Sequence, residues 1–530
     1  MWPAGCCEPT TTRASVDPRT GSGVRNLAEL ICDRVKHRPG ARFGMAGDVT
    51  PTLEQATGRA MGATGALETA GAGLGRRVAL IGTTSDSYLT AWLALVLAGA
   101  EVALVNPDYP DELLAEMLEQ LGPDAVVWSG REVSPPVAPG AVHLDAGGLD
   151  LGVLASADGS VIDAAAVPGL DGLDDAPGLG RDRFDVAGWM HTSGTTGVPK
   201  FCEQTHEYFL RLGRFIADSM CFSEADTVLA PLPMFHINPL GYGVIGGLTG
   251  GVDVLGLERF SASGFWPLVR AVGATVLILH APPVEILKRA TTTADAAGHR
   301  VSRVFFADPD FLETFGVPLG FSAYGSTEAG GLCHIWAWRR GERPELAEGM
   351  SRYGGRARHE VQWQVDGSGE IRVRADREGV LFSGYRRADG LLRPFDEDGW
   401  FATGDLGRTD EAGNLVFIER RSESIRVKGE FVPIGYVEQR FASVDGIDDV
   451  AVWRRDSDLV GDEIVLYMTG ESIPTDAILA TGADLPSFMR PSAVARVGDI
   501  PRDSGVGKVR RRLLTDIAVV EWIDLGEARS

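Results

Sequence analysis

A chain of 530 residues, 44% apolar and 23% charged, is long for one core and ordinary for a globular protein of two or three domains. Its formal net charge of −23 opposes binding to nucleic acid or an anionic membrane, and its one basic cluster, Arg510–Arg512, reads as a phosphate dock or a surface helix cap. Six cysteines (Cys6, Cys7, Cys32, Cys202, Cys221, Cys333) form no C-x-x-C pair and no Cys/His spacing, which argues against a zinc or dithiol motif and for a reducing cytoplasm.

Residues 1–24 are rich in Thr, Pro and Gly with no apolar run, and are expected to form a disordered leader. Leu27–Val35 has helical spacing. Arg77–Ile81 is a short apolar strand, followed by a helix over Ser87–Ala98, a strand over Glu101–Val105, a helix over Asp111–Leu121 and a strand over Ala125–Trp128. This rhythm predicts a parallel sheet. Tyr88–Val105 is nearly long enough to cross a membrane, but Gly99 and Glu101 split it into a core helix and a buried strand. G-A-G-L-G at 71–75 precedes a strand instead of following one, so it is no dinucleotide fingerprint. From Arg131 to Asp185, Gly, Ala, Pro and Asp predict loops and short strands.

The densest chemistry lies in W-M-H-T-S-G-T-T-G-V-P-K, Trp189–Lys200. Gly194 and Gly197 allow positive φ and close backbone approach, while Thr192, Ser193, Thr195 and Thr196 offer hydroxyls beside the backbone N–H groups, and Lys200 adds a cation. Such a loop suits a polyphosphate. Its lysine is misplaced for G-x-x-x-x-G-K-[ST], which disfavours a P-loop NTPase. Beyond it, helices over His206–Met220 and Ser261–Val272 alternate with strands at Val228–Ala230, Ala274–Leu279, Val304–Phe306 and Phe321–Ala323, the last delivering Tyr324 at its C-terminal end, where ligands of open α/β sheets bind. After Arg352 the texture becomes hairpins, with Val361–Val365 and Glu370–Arg374 around Asp-Gly-Ser-Gly and Leu415–Ile418 after Gly-Asn. Strand-like Val450–Trp453 and Ile464–Met468 then sit among helical segments.

H-T-S-G-T-T-G-V-P-K, P-L-P-M-F-H at 231–236, Y-G-S-T-E at 324–328, T-G-D at 403–405, the Glu419–Glu430 segment and G-V-G-K at 505–508 occur in the order of the adenylate-forming superfamily, which the chain resembles from about residue 25 nearly to its end. Phe235-His236 and S-A-S-G-F-W at 261–266 resemble most the acyl- and aryl-CoA ligases of the carnitine and medium-chain type. The resemblance implies an α/β fold: an N-terminal adenylation domain over 25–421, made of parallel α/β subdomains and a small β-rich subdomain, and a mobile α+β lid over 422–530, hinged near Arg421 and Ser422. It implies ATP and Mg²⁺ as cofactors, a small-molecule carboxylic acid as substrate and CoA as co-substrate. No nucleic acid or membrane partner is expected, and the oligomeric state is left open, a homodimer included.

Residue by residue, the resemblance gives the phosphate loop 192–197 with Lys200 the β- and γ-phosphates, Glu328 a Mg²⁺, and Thr327 the α-phosphate. Tyr324 stacks on adenine, Asp405 accepts the ribose hydroxyls, and Arg420 assists. His236 lies between acid and nucleotide; an Asp there would hold an α-amino group, so its absence argues against amino acids. Lys508 reaches the α-phosphate and the attacking carboxylate, and Lys428-Gly429 line the thiol's route after the lid rotates. Three departures stand out: Phe201 and the segment Ala307-Asp308-Pro309 replace glycine-containing positions, and Ser422 replaces an Asp or Lys hinge. They leave room for an alternative in which the adenylate passes to an amine, nitrite or carrier protein. A scaffold without chemistry is disfavoured by the presence of Glu328, Asp405, Arg420 and Lys508. Gly241, Gly243, Gly246, Gly247, Gly330 and Gly331 suggest room for an aryl or branched acid.

Overall fold

The computed structural model describes residues 23–130, 135–136, 140–149, 153–156, 161–163, 170, 172–192, 198–231, 233–343, 352–420, 425–428, 430–457, 461–502 and 509–526. The expected leader, apart from its last two residues, lies outside them, as do Ser193–Gly197, Arg421, Ser422, Gly429 and Lys508. The chain divides into two compact units, with the change at Glu419–Arg420; residues 108–117 and 192–200 group with the second.

The first unit holds a ten-stranded and a twelve-stranded sheet. At the centre of the ten-stranded sheet, Val186–Thr192, Glu101–Val105, Arg77–Gly82, Ala125–Ser129 and Val142–Gly148 run parallel side by side. In the twelve-stranded sheet, Phe43–Met45, Asp253–Gly256, Thr227–Ala230, Val276–Ile278, Arg303–Phe305 and Leu319–Tyr324 are parallel. Antiparallel His334–Arg339 and Arg352–Ala357 then continue this sheet into the hairpin region. The β-rich part is thus an extension of the parallel sheet, joined edge to edge.

Both faces of the parallel strands are covered, which is why they read as unbroken apolar runs. Val228, Val276 and Phe305 face a core that also holds Leu80, Val102 and the buried helix Asp86–Leu97, while their neighbours Leu229, Leu277 and Val304 face Trp266, Phe311 and Phe315. Ser85 caps Asp86–Leu97 by accepting from the Tyr88 N–H at 3.1 Å, and Gly99, at φ 79°, turns the chain into Glu101–Val105. The apolar stretch therefore divides as the sequence predicts, and no helix of the described residues is long and apolar enough to cross a membrane.

Helix Leu53–Thr69 was not anticipated. It begins with a reciprocal capping box, Thr52 Oγ1 accepting from Gln55 N (3.2 Å) and Gln55 Oε1 from Thr52 N (2.9 Å). It buries Ala56, Ala60, Ala63, Thr57 and Thr64 and packs against Asp86–Leu97.

The second unit carries a six-stranded sheet. Asp449–Ser457 and Gly461–Thr469 form its longest antiparallel pair, Ala493–Val497 lies parallel to the latter, and Val519–Asp524 closes one edge. Helices Ile434–Ala442 and Thr475–Ala483 complete an α+β arrangement. Arg511, in the basic cluster, pairs with Glu438 at 2.7 Å, which makes it a structural cation of this unit.

Candidate active site

Strand Val186–Thr192 carries buried Thr192 at its end, and Lys200 opens the neighbouring strand Lys200–Thr205. The loop glycines and hydroxyls between them, Ser193–Gly197, lie outside the described residues. Phe201 is fully buried, its ring edge-on to His191 at 6.5 Å. The first departure is thus a packing residue of the strand.

His191 is also 6.1 Å from the Phe235 ring and 6.4 Å from that of His236, itself 4.8 Å from Phe235. The turn bearing these residues is pinned by Thr84 Oγ1, which accepts from Met234 N at 2.9 Å, and a π-helix over Asn238–Ile245 follows at once. Such wide turns recur at functional sites. Phe43, Met45, Ala230 and Met234 line an apolar crevice below; its ≈ 10 Å³ is about the space of one water and adds no room for an acyl chain.

The glycines expected to leave room do the opposite. A Cβ on Gly241 or on Gly331 would lie 2.6 Å from Leu212 Cδ2, one on Gly243 2.7 Å from Ala230 Cβ, one on Gly246 2.9 Å from Ile216 Cγ2, one on Gly247 2.4 Å from Val254 Cγ2, and one on Gly330 2.6 Å from the Val380 carbonyl. These residues are glycine because neighbours already fill the space. They therefore carry no case for an aryl or branched acid.

Strand Leu319–Tyr324 delivers Tyr324 where the sequence places it. Its hydroxyl donates to Asp405 Oδ2 at 2.9 Å, and its ring stacks on Phe417 (5.8 Å, 29°) and tilts against His334 (5.8 Å). Burial first, then the Asp405 charge, pushes the phenol well above its ordinary range, so Tyr324 stays a donor. Asp405 is itself buried in strand Phe401–Thr409; its N–H donates to Thr403 Oγ1 at 3.2 Å, and Gly404, at φ 75°, donates to Glu370 Oε1 at 2.9 Å. Thr327 and Glu328 are buried just beyond Tyr324. One Glu328 oxygen accepts from the Tyr385 hydroxyl at 3.1 Å. Tyr385 was missed because it reaches Glu328 through the pairing of Gly384–Arg387 with Lys200–Thr205, a contact that no local spacing announces.

Asp308 is explained locally. It caps helix Pro309–Phe315 by accepting from Phe311 N at 2.7 Å, pairs with Lys288 at 2.6 Å, and precedes a proline suited to the first helical position. Phe306, just before it, holds a left-handed φ of 64°, where glycine is the usual residue. Arg420 ends strand Leu415–Arg420. Lys428, exposed and also left-handed (φ 55°), sits at the turn between Ile425–Val427 and Glu430–Val432 of the second unit. The structure thus joins Tyr324 to Asp405 directly and gathers His236 with His191, while the remaining expected residues are described singly or lie outside the described set. Among the described residues no three metal-ligating side chains cluster.

With a parallel α/β unit that sets Tyr324 at a strand end against buried Asp405, the chain belongs to the AMP-binding enzyme family, matched over residues 33–384. It is 29% identical over 347 residues to the crotonobetaine/carnitine–CoA ligase of Proteus mirabilis, a match spanning 62% of this chain and 66% of that enzyme's length. It is 30% identical over 386 residues to the sulfoacetate–CoA ligase of Cupriavidus necator, covering 70% and 74%. In fold it is similar to o-succinylbenzoate CoA synthetase of Bacillus subtilis (TM-score 0.76, 21% identity, 94% and 99% covered) and to a fatty acyl CoA synthetase of Mycobacterium tuberculosis (TM-score 0.61, 20% identity, 93% and 98% covered).

Proposed function

We propose that the protein is an AMP-forming acid–CoA ligase, which activates a carboxylic acid with ATP and passes the acyl group to the CoA thiol. The observation that carries this reading is the buried Tyr324–Asp405 pair, its tyrosine at the end of a parallel strand four residues before Glu328, in a chain of the AMP-binding family. The CoA ligases among its relatives support the thiol over an amine or carrier acceptor.

In the proposed first step a carboxylate oxygen bonds to the α-phosphorus as the bond to the pyrophosphate oxygen breaks. Negative charge grows on the α-phosphoryl oxygens and on the leaving group, so donors and cations are needed on both sides. Thr192 and the loop 193–197 with Lys200 take the β- and γ-phosphates, Thr327 and Lys508 the α-phosphate, and Asp405 with Arg420 the ribose. Tyr324 contacts adenine, and His236 separates acid from nucleotide. A single buried carboxylate, Glu328, suits Mg²⁺, which is commonly held by one or two carboxylates plus substrate phosphates. Bound there, it supplies neutralisation of the phosphate charge. In the second step the thiol bonds to the acyl carbon, the acyl–oxygen bond to AMP breaks, and Lys428-Gly429 line the thiol's path. We assign adenylation to a domain over 25–421 and the change of step to a moving domain over 422–530, with the enzyme in the cytoplasm, where ATP and CoA are supplied.

The test is product analysis of the purified protein with ATP, Mg²⁺, CoA and an acid panel. AMP, pyrophosphate and an acyl-CoA of the expected mass support the reading. ADP and phosphate as the nucleotide products refute it.

A further inference from the structure

The segment from Thr327 to Cys333 is held at its ends by local bonds, Ala329 N and Gly331 N donating to the Ser326 carbonyl (3.1 and 2.9 Å) and Cys333 N to that of Tyr324 (3.1 Å), and by buried Ala329, Leu332 and Cys333. It is one turn followed by two successive glycines at φ 74° and 73°, without side chains to pack. Its carbonyls are gripped from outside as well. The Thr327 carbonyl accepts from the Tyr208 hydroxyl (2.9 Å), Glu328 from Phe382 N (3.2 Å) and Gly331 from the Tyr242 hydroxyl (2.7 Å). The carbonyls of Gly330 and Leu332 both accept from one nitrogen, Arg358 Nη1, at 3.4 and 3.3 Å, and that of Cys333 accepts from Arg358 N at 2.8 Å.

Arg358 is 2% exposed, and a cation so buried needs compensation. Glu360 Oε2 accepts from its Nη2 at 2.5 Å and its Nε at 3.1 Å, while the other Glu360 oxygen accepts from Arg211, which in turn pairs with Glu207 at 2.6 Å. The Phe215 ring lies beneath the guanidinium at 5.1 Å. Its two charged neighbours hold the Glu360 carboxyl below its ordinary range despite burial. A buried chain of alternating charges is a poor source of stability, since apolar residues of like volume would serve as well. What it supplies is a fixed plane: the guanidinium fork is matched on one side by Glu360, which leaves Nη1 aimed at two carbonyls.

We propose that Arg358, oriented by Glu360, Arg211 and Glu207, is a positioning residue that fixes Glu328 and the Gly330-Gly331 wall relative to the Tyr324–Asp405 pair. Its effect on catalysis rests on the ligase reading; its hold on the segment does not. Arg358→Met alone leaves the buried cluster with an excess negative charge, so the decisive variant is Arg358→Met/Glu360→Gln, which leaves the cluster neutral and Arg211 paired with Glu207. Hydrogen exchange of peptides covering 326–333 should quicken by about tenfold or more while the strands Thr227–Ala230 and Val276–Ile278 keep their protection. In turnover, the Mg²⁺ concentration for half-activation and the KM for the acid should each rise about tenfold, with the KM for CoA unchanged. Arg358→Lys should fall between, because an ammonium cannot reproduce the fork. Unchanged exchange at 326–333, or equal acceleration in every peptide, overturns the proposal, as do unaltered Mg²⁺ and acid constants beside quickened exchange. If the parent protein releases no pyrophosphate with any acid, the ligase reading falls, and exchange still decides whether Arg358 holds the segment.

Discussion

Asp405 is buried and accepts a hydrogen bond from Tyr324 at Oδ2, and an ionised carboxylate, with about four acceptor positions, is the kind of group proposed here to take ribose hydroxyls. Bonds to a charged acceptor contribute roughly 1.5–3 kcal/mol each. Asp405→Asn should therefore weaken AMP binding by about 10- to 100-fold in a calorimetric titration. Tyr324→Phe, which keeps the ring, should cost less; equal AMP affinity in Asp405→Asn and the parent would remove the ribose role. Two histidines give the fold a pH dependence of definite sign. Burial holds His206 down to about 4 and His334 to about 3, from an ordinary value near 6.5, and His206 Nδ1 accepts from the Leu27 N–H at 3.3 Å. Around His206, Arg181 also opposes protonation, while Asp185 and Asp182 favour it. The unfolded chain binds these protons first, so the stability is fully present above pH 6.5 and is lost as pH falls toward 4 for His206 and 3 for His334. Each contributes a slope of up to about 1.4 kcal/mol per pH unit. His206→Gln should lessen the fall in urea midpoint between pH 7 and pH 5.5; an equal fall would show that His206 is not a source of it.

At the scale of elements, what was legible followed from contrast. Parallel strands covered on both faces show as apolar runs, and Tyr324 at the end of Leu319–Tyr324 was readable because buried Phe321 and Ala323 lead into the Y-G-S-T-E motif. Leu53–Thr69 was invisible by periodicity because between Leu53 and Leu67 its buried face is Ala, Thr and Gly, which scarcely differ from its exposed face; only Thr52 and Gln55 announced it. The motifs gave Asp405, Glu328 and His236, but Tyr385, which reaches Glu328, and Tyr208, Tyr242 and Arg358, which hold the backbone from Thr327 to Leu332, arrive through tertiary pairings without local signal. The glycines were misread for a physical reason: a missing Cβ marks either open space or a neighbour in contact, and sequence does not separate the two. Gly331→Ala tests the second meaning. With φ at 73° and Leu212 Cδ2 2.6 Å from the new carbon, it should destabilise by about 2 kcal/mol or more, read from urea denaturation. A neutral substitution would restore the case for space at that wall.

For the whole molecule, the proposed mechanism gives opposite halves of one reaction to residues near the two ends of the segment 422–530. Lys508→Ala should slow adenylate formation by about 10²- to 10³-fold, the scale of losing one preorganised donor to a developing oxyanion, and leave thioester formation from supplied acyl adenylate nearly intact. Gly429→Leu should do the reverse by obstructing the thiol. Equal loss of both half-reactions in both variants would refute alternating arrangements of the C-terminal domain. The central claim, that the acid is activated on the α-phosphorus, is tested most directly by tracing oxygen. With an acid whose carboxylate carries ¹⁸O at both oxygens, the oxygen that bonds to phosphorus remains on AMP when the thiol displaces it. Mass spectrometry of the nucleotide after turnover should find one ¹⁸O in each AMP and none in pyrophosphate. Unlabelled AMP, or label in inorganic phosphate beside ADP, would contradict it.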